Sequence, residues 1–203
     1  MSETMLLALA AFCFVSSITP GPNNMMLLAS GANFGFRRTL PHMLGVSLGF
    51  AAMVFAVGMG LGSVFTAYPP LYDVLRVAAI IYMLWLAWRI ATANGLGDGG
   101  DAARPMTFLE AVAFQWINPK AWAMALGATA AFVTPEAFVA GVAIVTVVFA
   151  AINLPCIASW AGFGVVLRRF LDRPRALRAF NVTMAVLLVA SLYPMVESFG
   201  GRV

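Results

Sequence analysis

A short stretch of the first apolar run combines residues that interrupt a helix with residues that carry polar side chains. It comprises Thr19, Pro20, Gly21, Pro22, Asn23 and Asn24. An α-helix cannot continue through it, because each proline lacks a backbone N–H and its ring clashes with the preceding turn. The helix that begins after Pro22 would expose unbonded N–H groups with partial positive charge, and such groups bind carboxylates. The two asparagine amides either join this site or only cap the new helix.

The fourth apolar run is interrupted in a similar way by Asn118, Pro119 and Lys120. Lys120 is the only charged residue deep inside an apolar run, and burying such a group in a bilayer costs at least ~2.5–3.5 kcal/mol on insertion scales. We therefore interpret Lys120 as functional, with the alternative that it only binds backbone carbonyls that Pro119 leaves without partners. Asn153, in the fifth run, serves either the same site or the packing of neighbouring helices.

The composition indicates an integral membrane protein. Of the 203 residues, 62% are hydrophobic and 10% are charged, and the mean hydropathy is +0.92, whereas soluble domains carry about 25% charged residues. The net charge of +4 would favour a nucleic-acid partner in a soluble chain. Here most arginines stand at the ends of apolar runs, where membrane orientation explains them. We predict contact with a lipid bilayer and no nucleic-acid partner.

Six apolar runs are each long enough to cross a bilayer, which takes roughly 20 residues. They cover roughly residues 4–31, 40–66, 71–92, 107–132, 137–166 and 178–197. A glycine-rich linker at about 93–106 separates repeat one, about 4–92, from repeat two, about 107–198. We predict a single transmembrane transporter domain over residues 1–203. It would be an all-α membrane protein whose six transmembrane helices form two inverted three-helix repeats, with helices 1 and 4 broken at the proline-containing motifs.

The arginines predict the orientation of these helices. Basic residues lie in or beside the first, third and fifth connections, and the second and fourth contain none, so we expect the odd-numbered connections in the cytoplasm. Both termini then lie outside, and three helices per repeat make the second repeat insert upside down. His42, at the cytoplasmic start of the second helix, is expected at the membrane interface rather than in a proton relay. Gly45 and Gly49 are expected to pack helices within one chain, with a homodimer contact as the alternative.

Broken helices near the middle of a membrane indicate the binding site of a transporter. Two other functions remain open at this point. A membrane-embedded thiol redox carrier would need Cys13 and Cys156 to meet, and a non-transporting membrane scaffold would have no use for the breaks. The sequence contains no phosphate-binding loop, metal-ligand cluster or protease arrangement. We therefore predict no enzyme activity, no catalytic residue, no metal and no cofactor.

Four features follow one another along the chain: Thr19-Pro20-Gly21-Pro22-Asn23, Arg37-Arg38, Gly45 with Gly49, and Asn118-Pro119-Lys120. In these features, and over nearly its whole length, the sequence closely resembles the LysE/RhtB family of amino-acid exporters, the LysE-type translocators. The resemblance implies a multi-pass carrier in the bacterial inner (plasma) membrane that moves amino acids out of the cytoplasm. Both termini would then be periplasmic.

The residues within the runs also bear on the substrate. No carboxylate lies deep in a run, so a cationic side chain would lack a partner, and we favour small neutral amino acids. The substrate carboxylate is expected at the helix start after Pro22, beside Lys120. Its ammonium group is expected on backbone carbonyls freed at the two breaks and on Asn23, Asn118 and Asn153.

Overall fold

All regular elements of the computed structural model are helices across the residues that it describes, 1–93, 104–171 and 173–193. The elements are α1 (Glu3–Ile18), α2 (Pro22–Phe34), α3 (Phe36–Ala56), a π-helical turn (Val57–Leu61), α4 (Gly62–Ala67), α5 (Pro69–Ala91), α6 (Phe108–Ile117), α7 (Pro119–Phe132), a 3₁₀ turn (Pro135–Ala137), α8 (Phe138–Arg168) and α9 (Pro174–Ala190). The expected all-α class is confirmed for these residues. The expected linker at 93–106 and the end of repeat two lie largely outside them.

Some of these helices have the length and composition of membrane spans. Within the described residues, Phe36–Leu61 and Pro135–Arg168 are each long and apolar enough to cross a membrane. The α1–α2 pair adds a third candidate if it is counted as one segment, bent by 56° at the break. Val77–Ala91 and Phe108–Ile117 are shorter apolar helices.

Prolines set the starts of both half-helices. α1 ends at Ile18, and α2 begins with Pro22 at a position where a missing N–H removes no helical hydrogen bond. Only Asn118 separates α6 from α7, and Pro119 opens α7 in the same way. Each proline-containing motif therefore ends one helix and starts the next, at the places that the sequence indicates.

Glycines bring α2 and α8 into backbone contact. A Cβ atom on Gly31 would overlap the carbonyl oxygen of Ala161, and a Cβ atom on Gly164 would overlap the carbonyl oxygen of Leu28. The two contacts are reciprocal, since each helix offers a glycine to a carbonyl of the other. This crossing fixes the position of α2, the half-helix that begins at the first break.

Gly45 and Gly49 hold α3 against α6. A Cβ atom on Gly45 would overlap the carbonyl oxygen of Phe108, and a Cβ atom on Gly49 would lie 2.8 Å from Cα of Val112. These glycines therefore pack two helices of one chain. His42 precedes Gly45 by three residues and so shares this face of α3. Its side chain is 1% exposed, so the helix turns His42 into the protein rather than toward its surroundings.

Two apolar cores support the half-helices. The main core lies among α1, α3, α7 and α8, where Leu9, Phe50 and Phe149 are buried. The rings of Phe50 and Phe149 pack edge to face with centroids 5.0 Å apart, an arrangement that aromatic quadrupoles favour. A second core joins α5 and α9 to Met26 of α2 and Phe114 of α6. Both halves of each broken pair are thus held by packed side chains.

The arginine-bearing connections lie near one another at one end of the bundle. Phe34, at the end of α2, lines one cavity together with Ala93 and Arg104, which flank the third connection. A Cβ atom on Gly35 would lie 3.5 Å from Nη1 of Arg168, beside the fifth connection. These connections carry arginines. Elsewhere, the π-helical turn packs against Thr129 of α7 and Val142 of α8.

Candidate functional site

The side chain of Lys120 joins the two helix breaks. It extends from the first turn of α7, and its Nζ donates to the Thr19 carbonyl oxygen at 2.7 Å, to Thr19 Oγ1 at 3.0 Å and to the Pro20 carbonyl oxygen at 3.4 Å. α1 ends at Ile18, so the carbonyls that follow have no helical partner. The oxygens that we expected to bind a substrate ammonium group therefore hold the ammonium group of the protein itself.

Gly21 leaves the space through which this lysine passes. Its backbone is extended, with φ −173°, so its conformation does not require glycine. A Cβ atom there would lie 2.7 Å from Cδ and 3.1 Å from Nζ of Lys120, closer than side-chain atoms normally approach each other. The missing side chain is what allows Lys120 to reach Thr19.

Other carbonyls at the end of α1 are also satisfied within the protein. Asn24 Nδ2 donates to the carbonyl oxygens of Ser17 and Thr19, both at 2.8 Å. Trp160 Nε1, from α8, donates to the carbonyl oxygen of Ile18 at 3.0 Å. The Asn24 amide is buried and stabilises the end of α1 rather than the start of α2.

Asn23 pairs with Gln115 of α6. Asn23 Nδ2 donates to Gln115 Oε1 at 2.8 Å, and Gln115 Nε2 donates back to Asn23 Oδ1 at 3.2 Å. Gln115 also donates to the Ala111 carbonyl oxygen at 2.9 Å and is fully buried. The sequence prediction left Gln115 out of the site. A signal was available, since it is a polar residue within the apolar α6, less than one turn before Asn118.

Asn118 and Asn153 have different surroundings. Asn118 Oδ1 accepts from the Lys120 backbone N–H at 3.1 Å, which caps α7. Asn153 Nδ2 donates to Ser17 Oγ at 3.2 Å, whereas its Oδ1 is buried and has no hydrogen-bond partner. A buried acceptor without a partner costs about 1–3 kcal/mol. Asn153 Oδ1 is therefore available to a donor on a ligand or a water molecule.

These groups line a small cavity of about 20 Å³. Its lining residues are Ser16, Ser17, Gly21, Asn23, Asn24, Phe50, Asn118, Lys120, Ala121, Met124, Asn153 and Ile157. Of the predicted site residues, Thr19, Pro20, Pro22 and Pro119 do not line it, and the first two are exposed at the surface. One water needs ~10–15 Å³ on this measure, so the cavity holds one or two waters and no amino acid.

The lining of this cavity carries a positive charge on Lys120, and none of its residues is acidic. Such a site suits an anionic group such as a carboxylate. Ser16 and Ser17 also line the cavity and were not predicted. Two adjacent serines less than one turn before a break in an apolar run are the signal that could have found them.

Neither cysteine belongs to the candidate site at the breaks. Cys13 and Cys156 are free and buried, and neither lines the cavity at the breaks. Cys13 packs in the main apolar core with Leu9 and Phe149. Buried thiols in apolar surroundings act as small hydrophobic side chains, so these surroundings do not favour a redox role.

Known proteins match this chain over nearly its whole length. The sequence model of the LysE type translocator family matches residues 14–191, which include both breaks. The chain is 31% identical over 194 residues to the cysteine/O-acetylserine efflux proteins of Escherichia coli strain K12, Escherichia coli O9:H4 strain HS and Shigella sonnei strain Ss046, with 93% of this chain and 96% of each relative covered. No solved structure matches it. The chain therefore belongs to the LysE type translocator family.

Proposed function

We propose that the chain is a secondary transporter that exports small neutral amino acids from the cytoplasm across the bacterial inner membrane by alternating access. The observation that carries this proposal is the Lys120 ammonium group, which joins the two helix breaks beside a polar cavity with no acidic lining residue. Neutral oxygen atoms accept the hydrogen bonds of the Lys120 ammonium group, and hydrogen bonds from this group to a carboxylate would be stronger. Lys120 can therefore turn to a substrate carboxylate and return to Thr19 when the substrate leaves.

The lining groups suit both charged ends of an amino acid. The carboxylate would lie between Lys120 Nζ and the N–H groups at the start of α2, which has no side-chain cap and where the helix dipole adds positive potential. The ammonium group would donate to Asn153 Oδ1, which lacks a partner in the protein. The relatives are named for efflux of cysteine and O-acetylserine, which are small and have uncharged side chains at neutral pH. The absence of acidic lining residues favours the same class.

The proposed architecture is one transporter domain of six transmembrane helices in two inverted repeats. The broken pairs α1–α2 and α6–α7 would be spans 1 and 4, α3–α4 and α8 spans 2 and 5, and α5 and α9 spans 3 and 6. The corresponding positions of the two breaks support this assignment. It is also supported by the clustering of the arginine-bearing connections at one end. That end would be cytoplasmic, with both termini in the periplasm.

Alternating access requires the contacts between the repeats to break. A cavity of about 20 Å³ cannot admit an amino acid, so the helices must separate for substrate to enter. Release of Lys120 from Thr19 and of Asn23 from Gln115 would remove two sets of hydrogen bonds that join the repeats at the breaks. Thr19 and Pro20 are exposed, and irregular backbone is not tolerated against lipid. This face of the break would therefore border water or protein.

Export from preloaded cells tests the proposal. Cells containing labelled cysteine, O-acetylserine and a mixture of other amino acids would be followed for efflux with the wild-type chain and with Lys120→Met. We expect the variant to remain in the membrane and to lose export of one substrate class, because methionine is similar in length but carries no charge. Arg173→Met is the matched control, since it removes a cation from an exposed connection and should export normally.

Two outcomes would contradict the proposal. Undiminished export by Lys120→Met would remove this lysine from the mechanism. No efflux of any amino acid by the wild-type chain would contradict the function itself.

A further inference from the structure

A second cavity, of about 80 Å³, lies at the end of the bundle that carries the arginine-bearing connections. Its walls come from α2, the start of α3, the end of α5 and the segment before α6. Its polar lining residues are Ser30, Asn33, His42, Arg89 and Arg104. With ~10–15 Å³ per water on this measure, the cavity holds roughly five to eight waters, about the number of non-hydrogen atoms in alanine or serine. It could thus hold a small amino acid, which the cavity at the breaks cannot.

His42 points to a ligand in this space. Its side chain is 1% exposed and lines the cavity, and neither ring nitrogen has a hydrogen-bond partner. A neutral imidazole has one donor and one acceptor, and buried polar groups are nearly always satisfied by protein or water. The cavity is the space from which a partner can reach His42. A molecule that both donates and accepts would satisfy the two nitrogens.

The charged lining residues are positive. Arg104 binds Glu110 through Nη1–Oε2 at 2.8 Å and Nη2–Oε1 at 2.6 Å. A guanidinium group has five N–H donors, so Arg104 retains donors for a second carboxylate. Arg89 lies over the ring of Trp85, with Cζ 5.0 Å from the centroid. The remaining donors of Arg104 can hold an anionic group in the cavity while this residue stays paired with Glu110.

Ser30 supplies an acceptor in the same lining. Ser30 Oγ and Thr39 Oγ1 are 2.9 Å apart, and Thr39 Oγ1 donates its hydrogen to the Gly35 carbonyl oxygen. Ser30 must therefore donate to Thr39, and its lone pairs can accept from a ligand. The guanidinium group of Arg104 and the neutral acceptor Ser30 Oγ are therefore complementary to the carboxylate and the ammonium group of one amino acid.

The cavity follows α2 toward the first break. Asn33, Ser30, Ala29 and Met26 line it along one face of this helix, a length of about 10 Å at 1.5 Å per residue. Met26 lies three residues after Asn23, so the inner end of the cavity is within one helical turn of the site at the breaks. One helix thus borders both cavities.

We propose that this cavity is an entry site that binds a zwitterionic amino acid before it passes to the cavity at the breaks. The inference rests on the proposed function and adds a second binding site to it. The carboxylate would bind the remaining donors of Arg104, and the ammonium group would donate to Ser30 Oγ and to a ring nitrogen of His42. Displacement of the buried Met26 and release of Asn23 from Gln115 would join the two cavities.

Protection of an introduced thiol tests this entry site. The full-length chain would carry Cys13→Ala and Cys156→Ala, with Ala93→Cys in the cavity lining. Thr92→Cys is the matched control, because Thr92 is adjacent but exposed and does not line the cavity. The purified protein would react with a methanethiosulfonate reagent with and without L-serine. At about ten times its Kd, this ligand should slow labelling of Ala93→Cys about tenfold and leave Thr92→Cys unchanged. Ethanolamine, which is serine without the carboxylate, should protect neither.

Further variants separate this inference from the proposed function. His42→Ala should abolish the protection, whereas His42→Gln, which keeps a donor and an acceptor, should retain it. Lys120→Met should lose export and keep the protection. Unslowed labelling of Ala93→Cys in a chain that exports amino acids would overturn the entry site alone, as would equal slowing at Thr92→Cys. Protection without export by the wild-type chain would overturn the proposed function instead.

Discussion

At the level of single residues, the first helix break depends on donors from three other helices. Lys120 comes from α7, Asn24 from α2 and Trp160 from α8, and together they satisfy the carbonyls of Ile18 and Thr19. A carbonyl there that is buried and has no partner would cost about 1–3 kcal/mol. These three helices therefore stabilise the break, and movement that withdraws their donors would destabilise it.

Gly21→Ala tests the role of the lysine without removing its charge. The added methyl group would displace Cδ and Nζ of Lys120, and because the lysine side chain is flexible, the fold should persist. Hydrogen bonds to a charged group contribute roughly 1.5–3 kcal/mol, so we expect the initial export rate to fall about ten- to a hundredfold. The measurements are export from preloaded cells and the Tm of the purified protein.

The matched control for this change is Gly127→Ala, also in α7. Its added methyl group would meet only Phe12 Cζ at 3.5 Å, an ordinary contact. Equal export by Gly21→Ala and Gly127→Ala would show that the position of Lys120 between the breaks does not matter for transport.

It was easier to predict which residues lie at the breaks than which hydrogen bonds they form. Lys120 and Asn153 stand out because a polar side chain in an apolar run is costly. Their partners depend on the rotation and register of neighbouring helices, which a single sequence does not specify. For this reason the pairing of Gln115 with Asn23 and the burial of His42 were not predicted.

At the level of helices, the glycines of the described residues make their closest backbone approach where α2 crosses α8. The sequence drew attention to the glycines of α3, yet in this crossing each helix places a glycine against a carbonyl of the other. The breaks were predictable, because proline acts locally on its own helix. The helix that packs against a glycine can be far away in the sequence, so the glycine alone does not predict it. The π-helical turn was also unpredicted, and in it Gly60 adopts φ +111°, a conformation that favours glycine.

Gly164→Ala should destabilise the protein through this crossing. The added Cβ atom would overlap the Leu28 carbonyl oxygen and approach the Ala32 backbone nitrogen to 2.9 Å. Backbone atoms cannot rotate away as a side chain can, so α2 and α8 must separate. Overpacking of this kind typically costs about 1–3 kcal/mol, and we expect a clear fall in the Tm of the purified protein.

Gly162→Ala, in the same helix, is the control for this prediction. A Cβ atom there has no neighbour within 4 Å, and replacing a mid-helix glycine by alanine typically stabilises a helix by roughly 0.5–1 kcal/mol. The Tm of Gly162→Ala should therefore equal or exceed that of the wild type. If Gly164→Ala unfolds at the same temperature as Gly162→Ala, the crossing is not as tight as the backbone positions require.

At the level of the whole molecule, the two cavities and the arginines suggest a direction of travel. The larger cavity lies at the arginine-bearing end, and the smaller one lies at the breaks further along α2. Basic connections remain in the cytoplasm. An exported amino acid would thus meet the larger cavity first and the lysine second, and the exposed side of the first break would follow.

This direction depends on the orientation of α8, which labelling of single cysteines can establish. Glu136 and Arg173 are both exposed and lie before and after α8. If α8 crosses the membrane once with its arginine-bearing end inside, a membrane-impermeant maleimide should label Glu136→Cys in intact cells. It should label Arg173→Cys only after the cells are permeabilised. Both variants would lack Cys13 and Cys156. Labelling of Arg173→Cys alone in intact cells would reverse the orientation, and labelling of both would show that α8 does not span the membrane.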